Sequence, residues 1–295
     1  MSEKLSSEEI KRLKGLGCLQ DKRYDDVFNV RVLTGNGKIT TQVQRAVADA
    51  ADRFGSGEVC LTTRLTFEIQ GVSYANIEPM REFLAQHGLV TGGTGAKVRP
   101  VVSCKGTTCQ YGLIDTYALS EKIHEKYYLG MHDVALPHKF KIAVGGCPNN
   151  CVKPDLNDFG IIGQCVTEVD PEVCKHCKNC KVVSGCPIHV AEQTDGVPVR
   201  KEGACNNCGR CIGMCPFGAM KEVQRGYAVY VGGRWGKRVG RGHKLNRVFT
   251  SEEEIFALLD RTIAYFKANG NPGERFADTV NRIGFETVEK ALLEA

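Results

Sequence analysis

The sequence has no stretch approaching the ~20 consecutive apolar residues of a membrane-spanning helix, so a helical membrane protein is not expected. Its first residues, MSEKLSSEEIKRLKGLG, lack the apolar core of a secretion signal, and the reading is of a cytoplasmic chain in a reducing setting. Strong charge of one sign is missing as well. The 39 Lys and Arg against 34 Asp and Glu leave +5, too mild a balance to imply a nucleic-acid partner. Acid is locally absent from residues 234–247, RWGKRVGRGHKLNR, which hold six Lys or Arg and His243. Such a loop is either simply solvated or a site for an anion or for cofactor carboxylates, since its glycines let backbone N–H groups approach a ligand.

Cysteine is what the chain has in excess: 15 residues, which in a reducing compartment read as metal ligands rather than disulfides. Residues 174–187, CKHCKNCKVVSGCP, and 205–216, CNNCGRCIGMCP, each carry C-x2-C-x2-C followed by a fourth Cys and a Pro. In bacterial ferredoxins three closely spaced thiolates hold one [4Fe–4S] cube and the fourth Cys crosses to the other. That pattern assigns Cys174, Cys177, Cys180 and Cys215 to one cube, and Cys205, Cys208, Cys211 and Cys186 to the second. Zinc is the alternative for isolated C-x2-C pairs, but the tripled motif, twice over, argues against it. Residues 170–222 then form an electron-input module, inserted into a sequence of different character.

A third group remains. GGCPNNC places Cys147 and Cys151 on a turn rich in Gly, Pro and Asn, and SCKGTTC offers Cys104 and Cys109 upstream. Disulfide formation, catalysis and metal ligation are all conceivable for two thiols on one turn; four thiolates together suffice for a third cube. Cys18, Cys60 and Cys165 have no partner at ligand spacing and read as structural.

The two segments together resemble the sulfite and nitrite reductases that couple sirohaem to a [4Fe–4S] cluster, whose signature is a Cys pair followed downstream by Gly-Cys-Pro-Asn-x-Cys. The likeness is greatest to the small single-repeat sulfite reductases and the C subunit of anaerobic sulfite reductase. The resemblance implies that Cys151 bridges cube and sirohaem iron; the first pair is spaced C-x4-C, where the family usually has C-x5-C. It also bears on three basic segments. Residues 58–70, EVCLTTRLTFEIQ, alternate as a strand, with Val59, Leu61, Leu65, Phe67 and Ile69 on one face and Thr62, Arg64, Thr66 and Glu68 on the other. Alone, such an Arg64 is an ordinary solvated residue; the resemblance of TTRLTFEIQG to the family's Thr-Arg-Gln strand implies that it contacts the substrate anion. In KFKIAVG, Phe140, Ile142 and Val144 face a core, and Lys139 and Lys141 share the other face, where an intervening dianion would offset their repulsion. Arg99 matches the family's basic residue before the first Cys pair. By the resemblance, Arg64, Arg99, Lys139 and Lys141 line the pocket over the haem, while Arg234, Lys237, Arg238 and Arg241 answer the macrocycle's carboxylates.

The expected fold class is α+β. A ferredoxin-like half-domain over 25–92 reads strand, Asn-Gly turn, a helix that starts at Thr40 or Thr41, carries Val43, Ala46, Val47, Ala50 and Phe54 on one stripe and is ended by Gly55 and Gly57, then strand, and a helix over Ile77–Gln86 that stops at Gly88. Residues 90–97 link it to a sirohaem-binding α/β domain formed by 98–169 and 225–295, with strands near 139–145, 159–167 and 227–232 and helices near 115–127, 251–268 and 285–294. The bacterial-ferredoxin domain, 170–222, interrupts it. Residues 1–24 stand apart as a surface helix with Ser6 and Glu9 as a capping box. The function expected is six-electron reduction of sulfite to sulfide, using sirohaem and three [4Fe–4S] clusters fed by a protein donor, a ferredoxin or a flavoprotein. Nitrite reduction to ammonia, or a three-cluster wire without catalysis, is the alternative. The half-domain's uncovered face suggests a homodimer with a shared site; a monomer folding both parts around one haem competes with it.

Overall fold

A computed structural model describes residues 5–201 and 203–294. The chain opens with α1 (Ser7–Gly15), capped by Ser6, whose hydroxyl accepts from Glu9 N at 3.1 Å. The reciprocal half of the expected capping box is not made: the Glu9 carboxylate accepts from Arg12 one turn on instead. Nor is this segment an appendage. β1 (Cys18–Gln20) pairs antiparallel with β2 (Val27–Val32), and Leu13 and Cys18 are buried in the same core as Phe28 and Val30.

The N-terminal sheet continues through α2 (Thr41–Phe54), β3 (Val59–Leu61), β4 (Phe67–Ser73) and α3 (Ile77–Gln86), in strand order β1-β2-β4-β3. Thr40 caps α2 and Gly55 ends it; Ala46, Val47, Ala50 and Ala51 are buried against the sheet, so the apolar stripe read from the sequence is the packed one. Phe28, Val30, Val32, Ile69 and Val72 meet that stripe. The sheet's other face carries Arg31 and Glu68, cross-strand partners joined at 2.8 Å, and is therefore polar. This face makes no apolar demand for a second copy; the apolar part of the sheet left exposed is the edge strand β3, with Val59 36% and Leu61 79% exposed.

Residues 58–70 are not one strand. The chain reverses between β3 and β4, with Thr62 N bonded to Thr66 O at 2.9 Å and Leu65 at φ +59°. Leu61 keeps the face that alternation assigned it, opposite Phe67, but lies on the short edge strand β3 and is 79% exposed. A period of two continues unbroken through a tight reversal, and this turn contains no Gly, Pro or Asn to mark it.

The second unit is a five-stranded sheet. β5 (Val102–Ser103) is followed by α4 (Thr116–Ile123), which runs on as π-helix through Leu129, and by β6 (Ile142–Gly145) and β7 (Phe159–Val169). After the cysteine-rich segment, with α5 (Lys181–Ser184) and the hairpin β8 (Ala191–Thr194) and β9 (Val197–Arg200), come β10 (Met220–Val231) and β11 (His243–Phe249). The order is β11-β10-β7-β6-β5, with β5, β6 and β7 parallel and β7, β10 and β11 antiparallel. α6 (Glu252–Asn269), α7 (Phe276–Ile283) and α8 (Phe285–Leu293) cover it; α6 starts with a complete capping box from Ser251 and Glu254. Phe140, Ile142, Phe159, Val229, Phe266 and Phe276 are among its fully buried side chains. β7 and β10 pair from Phe159↔Val231 out to Val169↔Met220, so the chain between leaves and rejoins the sheet at neighbouring strand ends. β10 begins well before the expected position near 227, because its first half, MKEVQRG, is too polar to read as strand. The basic stretch 234–247 is not loop throughout: its last five residues open β11.

Candidate functional site

Arg64, Arg99, Lys139 and Lys141 all line one cavity of 260 Å³, together with Arg31, Thr62, Thr63 and Thr66. The two units build it jointly. The β3–β4 turn brings Arg64 from the N-terminal sheet. Arg99 and Lys139 come from adjacent backbone, held by Arg99 N to Phe140 O at 2.8 Å and Phe140 N to Lys97 O at 2.9 Å, and Lys141 immediately precedes β6. Both sets come from a single chain, so a site shared between two copies is not required to unite them.

Arg64 is not the solvated strand residue of the alternation pattern. Its Nε donates to Pro100 O at 3.1 Å, Nη1 to Asn157 Oδ1 at 3.1 Å, and Nη2 to Ile142 O at 3.1 Å. It thus ties the units together while lining the cavity. Burial lowers its pKa to about 10, with Arg99 and Arg275 adding to the effect against Asp158. Arg99 donates Nη1 to Gly93 O, and its Nε is buried with no acceptor among the described residues. Its pKa also falls to about 10, through burial and then the charge of Arg31. Burial lowers Lys139, and takes Lys141 down to about 8 with help from Arg64 and Arg275. Confined positive charge with an unmet donor is a setting that a small anion would relieve.

Behind this wall lies an ion pair absent from the sequence reading. Asp158, fully buried, accepts from Arg275 Nη2 at 2.8 and 3.0 Å and from Lys141 N at 2.9 Å. Its carboxylate fixes the backbone from which Lys141 projects.

A second cavity, of 410 Å³, shares Thr63, Arg64 and Lys141 with the first and is lined also by Cys151, Lys153, Asn157 and Trp235. The Lys153 ammonium stands 5.8 Å from the Trp235 ring centroid. Lys153 and Trp235 sit in loops without periodicity, so no sequence pattern singled them out. Cys147 has Cys104, Cys109 and Cys151 within reach: burial raises its thiol, the Asn149 N–H opposes this, and the charges of the other three, as thiolates, add to the rise. Gly146 N donates to Cys104 Sγ at 3.1 Å, and a Cβ on Gly146 would stand 2.7 Å from Gly106 Cα, so only glycine lets these two loops touch.

In the cysteine-rich segment, Cys186, Cys205, Cys208 and Cys211 line a further cavity of 410 Å³. Burial raises Cys208, followed by the charges of Cys205, Cys211 and Cys186. Cys186 and Cys215 behave alike: burial opposes ionisation, yet the backbone N–H groups of the four or so residues after each Cys-Pro outweigh it and lower both pKa values. Cys174, Cys177 and Cys180 are half-buried just before α5. Among the described residues no three Cys, His, Asp or Glu side chains gather as ligands of a single metal ion. Cube ligands spread over four corners need no such convergence.

The expected macrocycle residues fare differently. Arg234 is paired with Asp278, and Arg241 lies 3.5 Å from Asp155. Lys237 and Arg238 are exposed and form no ion pair among the described residues.

The lowered pKa of Lys141 has a measurable consequence. Sulfate, whose charge is constant in this range, should bind about tenfold more weakly near pH 9.5 than near pH 6.5, with the loss centred at or just above pH 8. Titration calorimetry at several pH values checks this; constant affinity would exclude Lys141 as a contact.

Two family models match the chain: the nitrite and sulphite reductase 4Fe-4S domain over residues 94–295, and the nitrite/sulfite reductase ferredoxin-like half domain over residues 20–87. The chain is 32% identical over 268 residues to the coenzyme F420-dependent sulfite reductase of Methanocaldococcus jannaschii, covering 90% of this chain but 42% of that protein. It therefore spans less than half the length of that relative. It is 27% identical over 267 residues to the C subunit of anaerobic sulfite reductase from Salmonella typhimurium, covering 84% of this chain and 76% of the relative. The crystal structure of dissimilatory sulfite reductase I superposes with a TM-score of 0.73 at 23% identity, over 91% of this chain and 69% of that one, a likeness of fold.

Proposed function

Because the chain belongs to the nitrite and sulphite reductase family, we propose that it is an oxidoreductase reducing sulfite to sulfide at the junction of the two cavities. The observation that carries the reading is their shared wall: Arg64 and Lys141 face both the basic cavity and the larger one that contains Cys151.

Sirohaem in the larger cavity, with a cube on Cys104, Cys109, Cys147 and Cys151, would supply the electrons and the iron that takes the anion. The residues present suit such a group: a thiol at the cavity edge, Trp235 as an apolar wall, and Lys153 for a carboxylate. The chain's own part is electrostatic. Arg99 Nε, Lys139 and Lys141 offer donors to the substrate oxygens, and the Pro100, Ile142 and Asn157 acceptors hold Arg64 so that little reorganisation is needed as charge develops. Lys141, near pKa 8, can give a proton to a departing oxygen and regain it at neutral pH. The same charges would serve nitrite, which stays the second reading. Residues 170–222 act as a two-cluster ferredoxin module passing electrons from a protein donor.

An anaerobic visible spectrum with iron and sulfide counts tests the assignment. Tetrapyrrole absorption and about thirteen irons per chain are expected, twelve in cubes and one in the macrocycle. About twelve irons without the tetrapyrrole bands would leave an electron-transfer wire.

Excision tests the module. Asp170 N bonds to Ala219 O at 2.8 Å beside the Val169↔Met220 pair, so an Asn-Gly turn can replace residues 171–218 and close a β7–β10 hairpin. The shortened chain should keep tetrapyrrole and one cube, and turn over with a small chemical reductant but not with a protein donor. Unchanged reduction by a protein donor would remove the module from the path.

A further inference from the structure

Gly92, Gly93 and Thr94 lie in the stretch that reads from the sequence as a plain linker, yet all three are buried and Gly93 lines the basic cavity. Gly93 O is the acceptor that holds the Arg99 side chain. Arg99 Nη1 donates to it, and the guanidinium makes no other hydrogen bond among the described residues. Where Arg99 points therefore depends on how this carbonyl is set. Two successive glycines set it poorly by themselves, because neither has a Cβ to limit its dihedrals, and Gly93 sits at φ +82°.

The segment is pinned from both units. On the N-terminal side Gly92 N donates to Arg31 O at 3.2 Å, and the Thr94 hydroxyl donates to Lys14 O. From the second unit comes Tyr128, whose hydroxyl accepts from Gly93 N at 2.8 Å. Tyr128 belongs to the π-helical continuation of α4 and is 6% exposed. Its ring stacks on buried His124, with centroids 4.8 Å apart and 16° between the planes, and His132 meets it edge-on at 6.4 Å. The hydroxyl is thus aimed by a clamped ring. There is no slack on the other side either: a Cβ on Gly92 would stand 2.5 Å from the Tyr128 oxygen. π-Helical turns are rare and occur frequently at functional sites, and the function above gives this one no part.

We infer that Tyr128 is a positioning residue of the anion pocket: its hydroxyl fixes the Gly93 peptide, and Gly93 O in turn holds the Arg99 guanidinium with Nε free for a substrate oxygen. The inference rests on the function proposed above, in which Arg99 meets the anion. Tyr128 is not on the cavity wall, so its hydroxyl reaches the anion only through Arg99. Without that oxygen the Gly93 N–H is left buried and unpaired, and the two glycines allow the segment to turn toward another acceptor. Such a turn carries Gly93 O, and with it Arg99, away from its place.

Tyr128→Phe keeps the ring and removes the one oxygen. Sulfate is the probe, in titration calorimetry on the anaerobic holoprotein. It should bind Tyr128→Phe about fivefold more weakly than the wild type, the net worth of one neutral hydrogen bond, with iron content and tetrapyrrole absorption unchanged. Coupling to Arg99 separates positioning from general support of the fold. In Arg99→Met, which lacks the guanidinium, adding Tyr128→Phe should cost no further affinity, and kcat/KM for sulfite should follow the same pattern. Gly92→Ala is a second route if the phenylalanine variant loads cofactors poorly. Its methyl displaces the hydroxyl, and it should weaken sulfate binding in the wild type but not in Arg99→Met. Unchanged sulfate affinity in Tyr128→Phe, or equal losses with and without the Arg99 guanidinium, would overturn the inference. Sulfite turnover without the coupling would end this inference alone. The coupling seen with sulfate, in a holoprotein that reduces neither sulfite nor nitrite, would end the proposed function and leave Tyr128 its place behind Arg99.

Discussion

An Arg275→Met variant is expected to lose about 3–5 kcal/mol of stability, the effect of stranding a buried carboxylate without its counter-charge. Asp158 is fully buried, and Arg275 supplies both of its close side-chain contacts. Burial already holds the Asp158 pKa above its ordinary value although Arg275 opposes this, so removal of the guanidinium should drive the carboxyl to take up a proton. The double variant Asp158→Leu/Arg275→Met should be less damaged than Arg275→Met alone, because no charge is left unpaired. Denaturant midpoints measured anaerobically with cofactors loaded report both. A double variant that is worse by the sum of the single effects would mean that the pair contributes through packing rather than charge.

Lys141→Ala should lower sulfite turnover by about 10²–10³-fold while tetrapyrrole and iron content stay at wild-type levels, the usual cost of losing one preorganised contact to a developing charge. The side chain is half-buried, while the backbone N–H that meets Asp158 is kept in the variant, so folding should tolerate the change. Lys141→Arg should recover part of the rate and carry its activity to higher pH, since a guanidinium does not discharge near pH 8. Full activity in Lys141→Ala would take this residue out of the pocket. Arg64→Ala is a less clean probe than its position in an alternating strand implied. It would leave Pro100 O, Ile142 O and Asn157 Oδ1 short of a donor where the two units meet, and should lose stability as well as rate.

Much of this protein is determined by local sequence. The stripe of α2, its Thr40 cap and Gly55 stop, and the limits of α3 follow from the helical period and from which residues can terminate it. The close spacing of Cys205, Cys208 and Cys211 is a short-range constraint that keeps them together, and Cys186, 19 positions before Cys205, lines the same cavity. Other features rest on contacts between residues far apart in the chain. The reversal at Thr62–Thr66 is invisible to a period of two, yet it turns Arg64 from a strand residue into a strut reaching Pro100, Ile142 and Asn157. Asp158 and Arg275 are 117 positions apart, and neither carries a local pattern; only folding makes them the buried support behind Lys141. β1 and β11 are three- and seven-residue strands with little alternation, settled by the neighbour each pairs with. Arg234 looked free in an acid-poor stretch because its partner, Asp278, lies beyond that stretch. Composition and spacing determine which groups this chain can hold. Which charges remain free to meet an anion is decided by tertiary structure, because desolvation and pairing depend on what is packed alongside, not on what is adjacent in sequence.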